Sequence, residues 1–211
     1  MSIQSTKPRR GRPPKTVREN EDTRAELIQS GLINLTVNGF ASTGIDAIIK
    51  QVNVPKGSFY YYFDSKETFG IAVIKSYSGY FAKKLDKYLF DESIAPLRRL
   101  ALFVEDAKSG MTKHRFKRGC LVGNLGQEVD VLPLSYRKLL IEIFVVWQGK
   151  LEQCLLEAQS AKAIKPELDC HELAEFFWIG WEGAVSRAKL MQSTQALDSY
   201  LKHFISGIKT K

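Results

Sequence analysis

A chain of 211 residues, 44% of them hydrophobic, has the material for a sizeable buried core and reads as globular. Its net charge of +8 is concentrated at one end: six basic residues (Lys7, Arg9, Arg10, Arg12, Lys15, Arg18) precede the first acid, Glu19, and removing those six from the 31 leaves 25 basic against 23 acidic residues, a distribution that favours a polyanionic partner for the arm. No apolar run approaches the roughly 18 residues of a membrane span, no apolar segment follows the basic start as a signal peptide requires, and three unpaired cysteines fit a reducing compartment, so a cytoplasmic protein with no membrane partner is expected.

Residues 1–20 carry too few apolar side chains to bury and read as a disordered basic arm. Within it, Arg9, Arg10, Gly11, Arg12 and Pro13 make a good minor-groove shape. Glycine admits close approach, proline keeps the backbone extended, and the arginines reach the negative potential of a narrow groove. From Asp22 or Thr23, Leu27, Ile28, Leu32 and Leu35 recur at helical spacing until Asn38-Gly39 ends the first helix. Between Thr43 and Val52, Ile45, Ile48, Ile49 and Val52 mark a second, and a tight Asn53-Val54-Pro55 link leads into a third that carries Lys56, Gly57, Ser58 and the run Phe59-Tyr60-Tyr61-Tyr62-Phe63. Phe59 and Phe63, four residues apart, fill the inner face of so short a helix, so at least two of the three tyrosines face outward. Two short helices joined in this way are a helix-turn-helix signature.

Ser65 caps a longer helix that runs to about Phe90 and links head to body. Pro96 opens another, to about Lys113; the basic loop His114–Arg118 precedes Gly119-Cys120; Pro133 opens an amphipathic helix carrying Tyr136, Leu140, Phe144, Trp147 and Leu151. Leu168-Asp169 starts a helix with Phe177, Trp178, Trp181 and Glu182, and Ala196–Ile208 supplies the last. No strand-like alternation is persuasive, so the fold is expected to be all-α with about nine helices: an arm at 1–20, a helix-turn-helix head at 21–66, and a C-terminal helical body at 67–211.

The head motif, with Gly39-Phe40, Thr43, Ile48, Val54, Lys56-Gly57-Ser58, Phe59 to Phe63 and Lys66-Glu67, resembles the DNA-binding domain of the tetracycline-repressor family. Gly119 to Glu128 and Phe177 to Ala184 are similar to a narrower branch, the acrylate-utilisation and N-ethylmaleimide-reductase repressors. The resemblance implies a homodimeric repressor on double-stranded DNA, released by a small-molecule effector, with the body at 67–211 serving as its ligand-binding and dimerisation domain. Tyr60 would meet base edges, and Tyr61 or Tyr62 phosphates. Lys56, Gly57 and Ser58 would offer a helix N-terminus to phosphate, while Thr43, Gly44 and Lys66 would hold the DNA backbone.

In the body, Cys120 is the sharpest regulatory candidate. Lys113, His114, Arg115, Lys117 and Arg118 come just before it and a helix starts there, both of which favour thiolate. By resemblance it matches the sensor thiol of the electrophile-responsive branch and Lys189 the amine that partners it; the other readings are a pocket wall or a small buried hydrophobe. Asn124, Gln127, Trp147, Trp178, Trp181 and Glu182 are further candidates for an effector pocket. Cys154 reads as packing and Cys170 as exposed. His114, His171 and His203 stand apart, and no metal, paired-cysteine or phosphate-loop motif is present. Neither an enzyme nor a cofactor is therefore expected, and the remaining alternative is a DNA-binding protein without ligand control.

Overall fold

The computed structural model describes residues 20–210 and contains, among them, nine helices and no strand beyond an isolated bridge between Ile164 and Lys209. α1 (Asn20–Asn38) begins before either expected cap, with Thr23 buried inside it. It ends where Gly39 adopts a φ of +78°, a left-handed conformation that glycine reaches without a Cβ clash. α2 (Ile45–Val52) starts later than Thr43 because the Thr43 hydroxyl donates to the Gly39 carbonyl at 2.6 Å and lies 3.3 Å from that of Asn34. That residue is fastened to the end of α1 rather than to α2.

Asn53, left-handed at φ 55°, closes α2, and Pro55 precedes α3 (Lys56–Tyr62). Seven residues do not hold a helix together in water. Phe59 supplies the missing stability: it is fully buried, with ring centroids 5.6 Å from Phe63 and 5.1 Å from Phe69. α4 (Lys66–Leu89) opens with a reciprocal capping box between Ser65 and Thr68. It packs on α1 as well as on α5 and α7, and so joins head to body.

α5 (Pro96–Lys113) has proline in its first turn, where the missing N–H costs nothing. Its Arg99, only 4% exposed, donates to the Leu89 carbonyl at 3.1 Å and to Glu157 of α7 (Leu134–Ser160) at 2.5 Å. A buried cation is tolerated when its donors are met in this way. α6 (Leu121–Gly126) is a six-residue helix wedged among α1, α4 and α7. α8 (Cys170–Met191), whose first N–H groups donate to Asp169, lies along α7, and α9 (Gln195–Ile208) closes over α8 and α5. The outer faces of α7 and α8 leave Ile141, Val145, Val146, Phe176, Ile179 and Leu190 exposed. No helix among the described residues is long and apolar enough to cross a membrane.

Candidate functional site: reading helix and cavity

The outward face of α3 follows from the burial of Phe59 and Phe63. With both phenylalanines turned in, Tyr60 is 48% and Tyr61 72% exposed, and Tyr62 is half-buried. Gly57 and Gly44 have open space where a side chain would be. Ser58 is half-buried, and the exposed Lys56 lies 3.3 Å from Asp46 across α2 and α3, a solvent-screened pair that a phosphate would readily displace. Two expected backbone holders are corrected. Thr43 is 2% exposed and spends its hydroxyl on the end of α1. Lys66 donates to the Phe40 carbonyl at 2.6 Å with its ammonium 4.2 Å from the Phe40 ring centroid, and desolvation lowers its pKa although Glu128 pulls it up. Both fasten the head internally. Arg9, Arg10 and Arg12 lie outside the described residues.

Behind the head lies a cavity of about 430 Å³. One wall is α1, through Gln29, Leu32 and Thr36; α4 contributes Tyr77, Tyr80, Phe81 and Lys84; Phe103 and Met111 come from α5, and Trp181 and Val185 from α8. His114, Arg118 and Cys120 complete it. The lining is mostly aromatic and apolar with cations at one side, a composition for a small amphipathic anion. Lys84 is held by Asp106 at 2.7 Å, whereas Arg118 forms no ion pair among the described residues. His114 is pushed toward the neutral form by desolvation and by Arg118 and Lys113, so extra negative charge there would relieve it.

Cys120 reaches this cavity as the residue capping α6, its sulfur accepting from the Gly123 N–H at 3.4 Å. The expected preference for thiolate does not hold. The thiol is pushed up to about 11, by burial first and by the Glu182 charge as well, and hydrogen bonds from the Gly123 backbone and the Tyr77 hydroxyl only partly offset this rise. The basic flank is ineffective because Lys113, Arg115 and Lys117 point into water, where charge is screened.

The other body candidates separate into wall and support. Trp181 lines the cavity. Trp147 and Trp178 do not: they are core, with ring centroids 5.2 Å apart and Phe81 against Trp147 at 4.3 Å. Asn124 turns away to donate to the Thr36 carbonyl at 2.9 Å, and Gln127 is an exposed cap at the end of α6. Lys189 is half-buried with its stem packed along Gly119, beside Cys120. Glu182 sits behind the cavity wall, where a Cβ on Gly123 would lie 2.7 Å from its Oε1. That oxygen is buried without a partner, and desolvation lifts the carboxyl to about 7. Cys154 is buried as expected, but Cys170 is only 5% exposed because α8 begins against α7 rather than in solvent. Sequence reasoning missed Tyr77, Tyr80 and Phe81 as a lining set, although their spacing on one face of α4 carried the signal. It also missed Glu128, for which no local signal exists.

Residues 28–73 match the family described as bacterial regulatory proteins, tetR family, and residues 96–204 the tetracyclin repressor-like C-terminal domain. Transcriptional regulator AcuR of Cereibacter sphaeroides is 48% identical over 198 residues, covering 94% of this chain and 90% of its own. The crystal structure of regulatory protein TetR from Rhodobacter sphaeroides is similar with a TM-score of 0.86 at 47% identity, covering 88% of this chain and 98% of that one. The reduced form of E. coli NemR gives a TM-score of 0.79 at 27% identity, covering 90% and 98%.

Proposed function

Because the chain belongs to the TetR family of bacterial transcriptional regulators, we propose that it is a homodimeric repressor released from its operator when a small α,β-unsaturated acid or related electrophile enters the cavity beside Cys120. One observation carries this reading: the same cavity is walled by α1 of the head and by Cys120 of the body. An occupant therefore bears directly on the DNA-reading unit. A constitutive DNA binder has no use for such a space.

The cations at one side suit a carboxylate, and the aromatic wall suits a flat unsaturated chain. Covalent capture would be an addition: the thiol sulfur bonds to the β-carbon, the carbon–carbon π bond breaks, and the thiol proton ends on the α-carbon. A thiol held near 11 makes this slow at neutral pH, which favours reversible occupancy by the acid with covalent capture behind it. A structural relative is described in a reduced form, which adds oxidants to the effectors worth testing, with Lys189 as the neighbouring amine.

On the DNA side, Tyr60 would read base edges while Tyr61, Tyr62, Lys56, Gly57, Ser58 and Gly44 meet the backbone, and Arg9, Arg10 and Arg12 would add phosphate or minor-groove contacts. The exposed apolar faces of α7 and α8 would pair two copies, placing their α3 helices in successive major grooves.

The test measures binding to a duplex selected by the wild-type protein from a randomised pool, with and without sodium acrylate, N-ethylmaleimide or hypochlorite. Cys120→Ser should bind the duplex normally and lose release by N-ethylmaleimide and oxidant while keeping release by acrylate. If none of the three releases the wild-type protein, the sensor reading fails. If Cys120→Ser responds normally to all, the thiol is only a wall of the cavity.

A further inference from the structure

The segment from Cys120 to Glu128 touches the cavity at one end and the DNA-reading head at the other. Cys120 lines the cavity. One turn on, Asn124 donates to the carbonyl of Thr36, itself a cavity residue on the last turns of α1. Glu128, just past α6, then reaches the turn between α1 and α2: its two carboxylate oxygens accept the backbone N–H groups of Phe40 at 3.1 Å and Ala41 at 3.0 Å. These partners are 88 and 87 residues away in the chain.

The surroundings of this contact are built for it. At Gly39 any Cβ would overlap the Glu128 carboxylate, and the φ of +78° independently disfavours one. Phe40 is held from every side: Glu128 takes its N–H, Lys66 donates to its carbonyl at 2.6 Å, and Tyr136 packs edge-on with ring centroids 4.9 Å apart. Tyr136 in turn donates to the Glu67 carbonyl at 3.0 Å, at the start of α4. Lys66 also attracts Glu128 electrostatically. The carboxylate thus pins the point where α1 turns into the helix-turn-helix.

We propose that Glu128 is the positioning residue that fixes the DNA-reading head relative to the cavity wall, so that displacement of the Cys120 segment by an occupant is delivered to α2 and α3 through this carboxylate. The part of this that concerns effectors rests on the sensor reading above; the part that concerns operator binding does not. Asn124 acts as the nearer fulcrum and Glu128 as the grip. The end of α6 and the turn after it join the two, with the Gln127 and Glu128 N–H groups donating back to the Asn124 and Leu125 carbonyls at 3.2 and 2.9 Å.

The experiment uses full-length protein with Cys154 and Cys170 replaced by Ala, the selected duplex and a random duplex. Operator affinity is measured before and after N-ethylmaleimide modification driven to completion and verified by mass. Glu128→Ala should lose about tenfold in operator affinity, the scale of two lost charge-assisted bonds shared with water, with little change on random duplex. Glu128→Gln, which keeps one acceptor oxygen, should fall between. The ratio of operator affinities before and after modification should shrink toward one in Glu128→Ala, because the link between the two sites is cut. Gly39→Ala should mimic Glu128→Ala, and the double variant should cost less than the two effects multiplied.

A Glu128→Ala protein with wild-type operator affinity and a wild-type ratio overturns the proposal. Loss of operator affinity with the ratio intact overturns the coupling. Equal loss on both duplexes with a lowered melting temperature makes Glu128 merely structural. A ratio of one in the unmutated background overturns the sensor reading instead, and leaves positioning to be decided by the operator arm.

Discussion

α3 and α6 are both too short to stand alone, at seven and six residues, yet they are held in opposite ways. α3 is anchored by one fully buried ring, Phe59, and turns Tyr60 and Tyr61 into water. α6 has Leu121, Val122, Gly123 and Leu125 buried, and polar side chains within and just past it reach back into the protein, Asn124 to Thr36 and Glu128 to Phe40 and Ala41. A short helix that displays chemistry needs one anchor and a free face. α6 instead buries most of its length and is tied to the head at Asn124 and, just past its end, at Glu128. Chemistry at α3 is open to a partner, while chemistry around α6 is conditioned by burial, as the raised Cys120 and Glu182 values attest.

The largest expected effect separates anchor from display within α3. Phe59→Ala removes a fully buried ring packed on Phe63 and Phe69 and should lower unfolding stability by about 3–5 kcal/mol in a denaturant titration. A loss comparable to that of an exposed tyrosine would mean α3 is held by something other than this ring. On the α6 side, a thiol at about 11 rather than 9 should leave Cys120 about a hundredfold poorer in thiolate at neutral pH, each pH unit being a factor of ten. Alkylation by N-ethylmaleimide, followed by mass in the background lacking Cys154 and Cys170, should keep rising tenfold per unit from pH 7 to 10. A plateau near pH 8 would show that the basic flank does reach the sulfur.

Tyr60→Ala, next to Phe59 in sequence, should leave the fold intact and weaken binding to the selected duplex by about 10–100-fold, the range of one good base contact. Random duplex should be nearly unaffected. Equal losses on both would move Tyr60 from base reading to the DNA backbone.

The same contrast explains what was legible in the sequence. Helix order, the two inward phenylalanines and the outward tyrosines are local patterns, set by spacings of three and four residues. The start of α2 escaped because Thr43 chooses partners at the end of α1. The reactivity of Cys120 was misjudged because sequence proximity to five basic residues says nothing about where they point, and three of them point into water. Trp147 and Trp178 are apolar helix positions like Trp181, and only packing decides that Trp181 alone lines the cavity. Lys66 sits directly after the reading helix in the chain and looks like a phosphate contact; its ammonium is instead committed to Phe40. Glu128 finds its partners nearly ninety residues upstream, beyond any local pattern.

The smallest effect tests whether burial around α6 costs stability as well as reactivity. Glu182 keeps one carboxylate oxygen buried and unpartnered beside Gly123, and its carboxyl is raised from 4.5 to about 7. Between those values the folded protein binds a proton that the unfolded chain has released, so stability falls as pH rises from about 4.5 and levels off above about 7. Glu182→Gln carries no charge in either state and escapes that decline. With the shift discounted for the partial exposure of the side chain, the variant should be more stable than wild type by about 1–2 kcal/mol at pH 8 and should lose most of that advantage at pH 4.5. Paired denaturant titrations at the two pH values measure the difference. An equal gain at both would mean the glutamine is simply better packed, and no gain at pH 8 would mean that Glu182, once ionised, finds water or a cation and that the interior beside α6 is wetter than its burial implies.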